Sequence, residues 1–160
     1  MKKKPVTPKS LAVLSHSLSS ESGLGKRLYT VPELIRLTGL TRKQVTYWSK
    51  IGLLLPALRD SNAPSGKPTS FYSAVEVVKA MIFCDLRHAG FSPRQVQQVA
   101  ANLKEQHIQL DQPETYLLTD GYSVYYASSD NEVVDILKHH RQMLLLVPIH
   151  EQIEKLLKVA

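Results

Sequence analysis

Apolar residues recur along this chain at the three- and four-residue spacing of helices, and most runs open on the same polar signature. Ser or Thr followed three residues later by Glu or Gln stands at Thr30/Glu33, Thr41/Gln44, Ser73/Glu76, Ser92/Gln95 and Ser129/Glu132. Such a pair satisfies backbone amides that the first turn of a helix leaves without partners, so each marks a helix start. The pattern predicts helices over about 31–38, 41–51, 73–89, 92–103, 131–140 and, after Pro148, 149–158.

Only Gly39 and Leu40 separate the first two helices, a turn short enough to fold them against each other as a helix-turn-helix. Leu34, Ile35, Leu37, Leu40, Val45 and Trp48 are the candidate shared core. Arg42, Lys43, Thr46 and Tyr47 then project from the N-terminal half of the second helix, where a recognition helix meets the major groove of DNA. Trp48, at helical spacing from Val45, reads as core, and Lys50 and Arg36 as solvated surface.

The stretch "LLLPALRDSNAPSGKPTSFYS" is too long and too rich in proline for a simple connection. It is expected to form a two-stranded wing, with strands near 55–59 and 69–72, that lowers Arg59 and Lys67 onto a phosphate backbone. Ser92-Pro93 opens the fourth helix with proline in the first turn, where no hydrogen bond is lost.

After Leu103 the pattern changes. "KEQHIQLDQPET" loses helical periodicity, and "TYLLTDGYSVYYA" alternates like a β-hairpin with Asp120-Gly121 at its turn. A short helix, the strand-like "MLLLVPI" and a last helix with Ile149, Ile153, Leu156 and Leu157 on one face complete the chain. The fold expected is mainly α with small β content: a tail over 1–28, a winged helix-turn-helix domain over 29–104, and a small α+β unit over 105–160. A unit of about 50 residues buries too little surface to be stable by itself, which makes it the expected dimerisation region. The last helix and the strand Met143–Val147 can bury against a partner chain or against the fourth helix, and the pattern leaves both open.

Charge sharpens this division. The 160 residues carry a formal net charge of +6, yet residues 1–72 hold 12 Lys/Arg against 3 Asp/Glu, and residues 73–160 hold 8 against 11. A basic front with a mildly acidic back suits a polyanion, although much of the excess lies in the Ser/Lys/Pro-rich start of the chain. The longest apolar run, Met143–Ile149, contains a proline and is far below the roughly 20 residues of a membrane-spanning helix, so no membrane association is expected. "MKKKP" is followed by no compact apolar segment, so the reading is cytoplasmic. Cys84 is the only cysteine, which excludes an internal disulfide and cysteine-rich metal sites. His139 and His140 are adjacent on a helix and point about 100° apart, which does not suit a shared ion. No arrangement of nucleophile and base, paired carboxylates or phosphate loop is evident, and no catalytic residue, cofactor or metal is expected.

"YTVPELIRLTGLTRKQVTYWSKIGLLLP" followed by "FYSAVEVVKAMIFCDLRHAGFSPRQVQQV" resembles the DNA-binding domain of MerR-type transcription regulators from Tyr29 to about Leu103. The resemblance implies that Thr41, Arg42, Lys43, Thr46 and Tyr47 lie in or beside the major groove, and that Arg59, Lys67 and Thr69 belong to the wing. It implies that Arg87 and Arg94 reach phosphate near the junction of the third and fourth helices. It also implies a homodimer on a pseudo-palindromic operator in double-stranded DNA. Two features depart from the family pattern: Ser70 stands where the family usually has arginine, and the wing tip "SNAPSGKPTS" is longer.

The expected function is therefore a sequence-specific transcription regulator, read as a repressor because no sensor is evident. Tyr116, Tyr122, Tyr125 and Tyr126 fit alternation along a hairpin as well as an effector pocket, and the hairpin reading is preferred. Two alternatives stand beside it: an excisionase-like architectural DNA-binding factor of a mobile element, and an antitoxin-like protein-interaction module.

Overall fold

All five polar signatures cap helices in the computed structural model, which describes residues 24–112, 115–140 and 142–159. Thr30, Thr41, Ser73, Ser92 and Ser129 are the N-caps of α1 (Val31–Thr38), α2 (Arg42–Lys50), α3 (Ala74–His88), α4 (Pro93–Glu105) and α5 (Asp130–His139). At Thr30, Thr41 and Ser92 the exchange is reciprocal, with the Glu33, Gln44 and Gln95 side chains returning to the cap amide. Two glutamates are diverted. Glu76 accepts from the Leu55 amide at 2.9 Å and from Lys79 at 2.7 Å, and Glu132 accepts from the Ser128 amide at 2.7 Å. The Glu76 diversion ties the chain after α2 to the start of α3.

Two small antiparallel sheets accompany the helices. The first has the order β1-β3-β2, from β1 (Leu28–Thr30), β2 (Leu58–Asp60) and β3 (Thr69–Ser73). Strands β2 and β3 are the expected wing. Strand β1 was not anticipated, because three residues are too few for alternation to show. The tail expected over 1–28 lies outside the described residues as far as 23, and from there Leu24 joins the core and Leu28 opens β1.

The second sheet has the order β5-β4-β6, from β4 (Tyr116–Thr119), β5 (Val124–Ala127) and β6 (Leu145–Pro148). The hairpin is as predicted. Strand β6 returns after α5 to the far side of β4, pairing Leu117 with Val147 and Leu118 with Leu146.

One apolar cluster runs through both halves. It joins Leu34, Val45, Trp48 and Phe83 of the helix-turn-helix region to Leu117, Val147, Ile153 and Leu156 of the α+β region. Helix α6 (Ile149–Val159) supplies much of this link. Its apolar face, expected against a partner or against α4, lies on α3 instead, and the buried Gln152 donates its side-chain amide to the Asp85 carboxylate of α3. A unit too small for its own core has borrowed one from α3, the most deeply buried helix. The hairpin tip adds a second link. Gly121, at φ +91°, is buried so tightly that an added Cβ would lie 2.7 Å from the Phe91 ring, and Asn102 of α4 donates to the Tyr122 carbonyl at 2.7 Å.

Candidate nucleic-acid interface

Helix α2 has one buried side, formed by Val45 and Trp48, and this fixes the direction of everything else on it. Trp48 meets Phe83 of α3 edge-on with ring centroids 6.1 Å apart, and Ser49 shares a 2.7 Å hydrogen bond with the Tyr72 hydroxyl of β3. The turn before α2 is held by Gly39, whose φ of 74° suits a residue without a Cβ and whose amide donates to the Ile35 carbonyl at 2.8 Å. With both ends and one face tied down, Thr41, Arg42, Lys43, Gln44, Thr46, Tyr47 and Lys50 are all exposed.

The ten residues singled out in the sequence fall into three places. Thr41, Arg42, Lys43, Thr46 and Tyr47 share the exposed side of α2, with Tyr47 52% exposed. The Thr46 hydroxyl donates to the Arg42 carbonyl at 2.9 Å, which orients its lone pairs outward. Arg59, Lys67 and Thr69 belong to the wing: Arg59 on β2, Thr69 opening β3 opposite Asp60, and the exposed Lys67 after the tip turn that Gly66 closes by donating to Ala63. Arg87 and Arg94 flank the α3–α4 junction, both exposed. Among the described residues no ion pair engages Arg42, Lys43, Arg59, Lys67 or Arg94, the pairs present being Arg27–Glu33, Lys79–Glu76 and Lys158–Glu154. Cations that have no internal partner keep their charge available to an external anion.

Arg87 differs from the other nine. Its guanidinium donates to the Phe91 carbonyl at 2.6 Å, closing the turn between α3 and α4. Its first job is to hold that junction together. The Ser70 departure also finds an explanation in register, since Arg59 pairs directly with Ser70 across the β2–β3 ladder. A cation therefore stands at this level of the wing, carried by the neighbouring strand.

Behind α2 a cleft of about 490 Å³ opens between the helix-turn-helix, α3 and α4, with Gln44, Tyr47, Trp48, Arg87, His88 and Val96 among its walls. Cys84 also lines it, and burial pushes its thiol up to about 12, with the nearby Asp85 charge adding to the effect. At neutral pH this cysteine is an unreactive wall rather than a nucleophile. The bracing contacts of Glu76 and Ser49 carry no signal in the sequence, where Glu76 reads only as part of a helix-start pair, because their partners Leu55 and Tyr72 lie 21 and 23 residues away.

This geometry can be set against known proteins. The family profile described as MerR HTH family regulatory protein matches residues 29–103. Those residues form a MerR-type helix-turn-helix domain. Relatives from Mycobacterium tuberculosis and Mycobacterium bovis, each described as an uncharacterized helix-turn-helix-type transcriptional regulator, are 31% identical to this chain over 110 residues. The match takes in 69% of this chain and 48% of each relative, so the chain spans about half the length of the curated relatives it matches. The MerR-type match covers α1 through most of α4, together with the wing and every residue of the candidate interface. No helix of the described residues is long and apolar enough to cross a membrane.

Proposed function

We propose that the protein is a sequence-specific transcription regulator that binds double-stranded DNA, acting as a homodimer on a pseudo-palindromic operator. The observation that carries this reading is the exposed side of α2. Arg42, Lys43 and Thr46 are aimed outward by a buried Trp48, beside a wing bearing Arg59 and Lys67, which enter no ion pair among the described residues. The MerR-type domain and the relatives described as transcriptional regulators support it.

The division of labour follows from what each group can touch. Arg42 and Lys43 reach base edges, where arginine pairs bidentately with guanine, and the wing cations and Arg94 contact phosphate and set the register. Repression is the simplest mode, because an operator overlapping a promoter needs only to be occupied. Activation would require two dimer states and a ligand that distinguishes them. The reading needs no catalytic step, metal or cofactor, and treats the protein as a non-enzyme.

The test is selection of bound duplexes from a random DNA library by the purified chain. Recovery of an inverted repeat is the expected result. Tandem direct sites with strong bending would favour an architectural factor. Binding without any enriched sequence, lost at moderate salt, would overturn the reading in favour of a protein-interaction module.

A further inference from the structure

The outer edge of β6 is an apolar feature that the shared core does not absorb. In the order β5-β4-β6, one edge of β6 pairs with β4, and among the described residues no strand meets the other. An open edge offers a row of backbone N–H and C=O groups to any extended chain, and proteins usually blunt it with charge, proline or a covering element. Here the run Leu144 to Val147 bears no charge, and proline enters only at the end, as Pro148.

The side chains around this edge form a matching apolar surface. Leu145 and Val147 face the main core, whereas Leu144 packs on the small cluster of Leu118, Ala127 and Val133 on the opposite face, and Leu146, paired with Leu118 on that same face, is 42% exposed. The Tyr116 hydroxyl on β4 donates to Asp130 at the start of α5, so the flank of α5 bearing Asp130 looks across β4 toward β6. Val134 and Leu137, four and seven residues on, share that flank and are 45% and 48% exposed. Met143, just ahead of β6, is 94% exposed.

We propose that this edge pairs with the same edge of a second copy, β6 antiparallel to its twin about a twofold axis, to make one six-stranded sheet across a dimer. The choice of a second copy deepens the dimeric reading above and rests on it, and three observations fit that occupant. An antiparallel strand is self-complementary about a twofold axis normal to the sheet, which keeps both α5 helices on one face with their Val134/Leu137 flanks opposed over the two Leu146 side chains. Antiparallel pairing about a twofold axis sets residues of this one short run opposite others of the same run, so a charge within it would be brought close to its own twin, whereas Leu144 to Val147 carries none. The basic α2–wing face repels its own copy, which leaves the α+β side as the compatible contact.

Sedimentation of the full chain without DNA, beside Leu146→Lys and Met143→Lys, tests the proposal. Met143→Lys alters a side chain that packs on almost nothing and leaves the fold intact. Wild type is expected at twice the 18.0 kDa chain mass, and both variants at 18.0 kDa at concentrations where wild type is wholly dimeric, with unchanged circular dichroism. Variants that stay dimeric overturn the β6 edge while leaving the dimeric regulator intact. A monomeric wild type overturns both the edge pairing and the dimer, and would assign the edge to an extended peptide of another protein. Enrichment of a DNA sequence by that monomer would still uphold DNA recognition by α2.

Discussion

Helix α2 buries Val45 and Trp48 and turns two adjacent cations outward, whereas α6 buries Ile149, Gln152, Ile153 and Leu156 and spends its apolar face on α3. Both are short amphipathic helices, of 9 and 11 residues. They differ in what holds them and in what they leave free. Helix α2 is fixed by caps, a glycine turn and the Ser49–Tyr72 bond, so that few apolar anchors suffice and most of its surface is available. Helix α6 is fixed by burial, and its Gln152–Asp85 bond lies inside the contact it makes. On α2 the adjacent cations Arg42 and Lys43 stay clear of the ion pairs among the described residues, whereas on α6 the apolar face is used up on the core.

Breaking α6 should give the largest effect. Ile153→Ala removes a buried side chain from the shared cluster and is expected to lower unfolding free energy by about 2–5 kcal/mol in urea titration. Because the cluster spans both halves, the loss should appear as one cooperative transition. Two separate transitions, with the helix-turn-helix half unmoved, would show that the halves are energetically independent.

Breaking the exposed side of α2 should do the converse. Arg42→Ala is expected to weaken binding to the selected sequence by about 1–3 kcal/mol and to change stability by less than about 0.5 kcal/mol. Full specific affinity in a well-folded variant would displace α2 from the groove. The wing is expected to act more weakly: Lys67→Ala should reduce affinity for all sequences alike and lower the slope of log affinity against log salt by about one.

The hairpin tip sharpens the boundary between the two regions. Gly121→Ala forces a Cβ at positive φ against Phe91 and is expected to destabilise by more than about 1 kcal/mol, read from the thermal midpoint. A neutral outcome would mean that the tip is not seated on the α3–α4 junction.

The smallest expected change is at Asp85. Burial pushes its carboxyl above the ordinary range, with Lys155 and His88 opposing. A raised folded value means that the folded chain holds its proton more tightly than the unfolded chain does. This residue's contribution therefore becomes less favourable as pH rises from the ordinary carboxylate value through the raised one. Asp85→Asn keeps an acceptor for Gln152 without the charge, so it should leave stability at pH 7 equal or slightly higher and flatten the pH dependence in that acidic window. Marked destabilisation at pH 7 would show that the carboxylate charge itself holds α3 to α6.

Capping pairs and apolar spacing were enough to place α1 through α6 within a residue or two and to aim Arg42 and Lys43 outward. The length and proline content of the stretch after α2 pointed to the wing, whose first strand runs over 58–60 rather than the 55–59 expected. These signals are local: a capping box needs three residues, and a helical face needs about two turns. Segregation of charge toward the first 72 residues was also legible, since it depends only on counting. The tertiary structure alone decided that α6 sits on α3, that β6 joins the far side of β4, that Arg59 stands opposite Ser70, and that Arg87 holds the α3–α4 turn. Most of these are choices of partner between residues remote in sequence, as with Asp85 and Gln152, 67 positions apart. An apolar face specifies that it must be buried, and the competition among all the faces of the folded chain specifies against what.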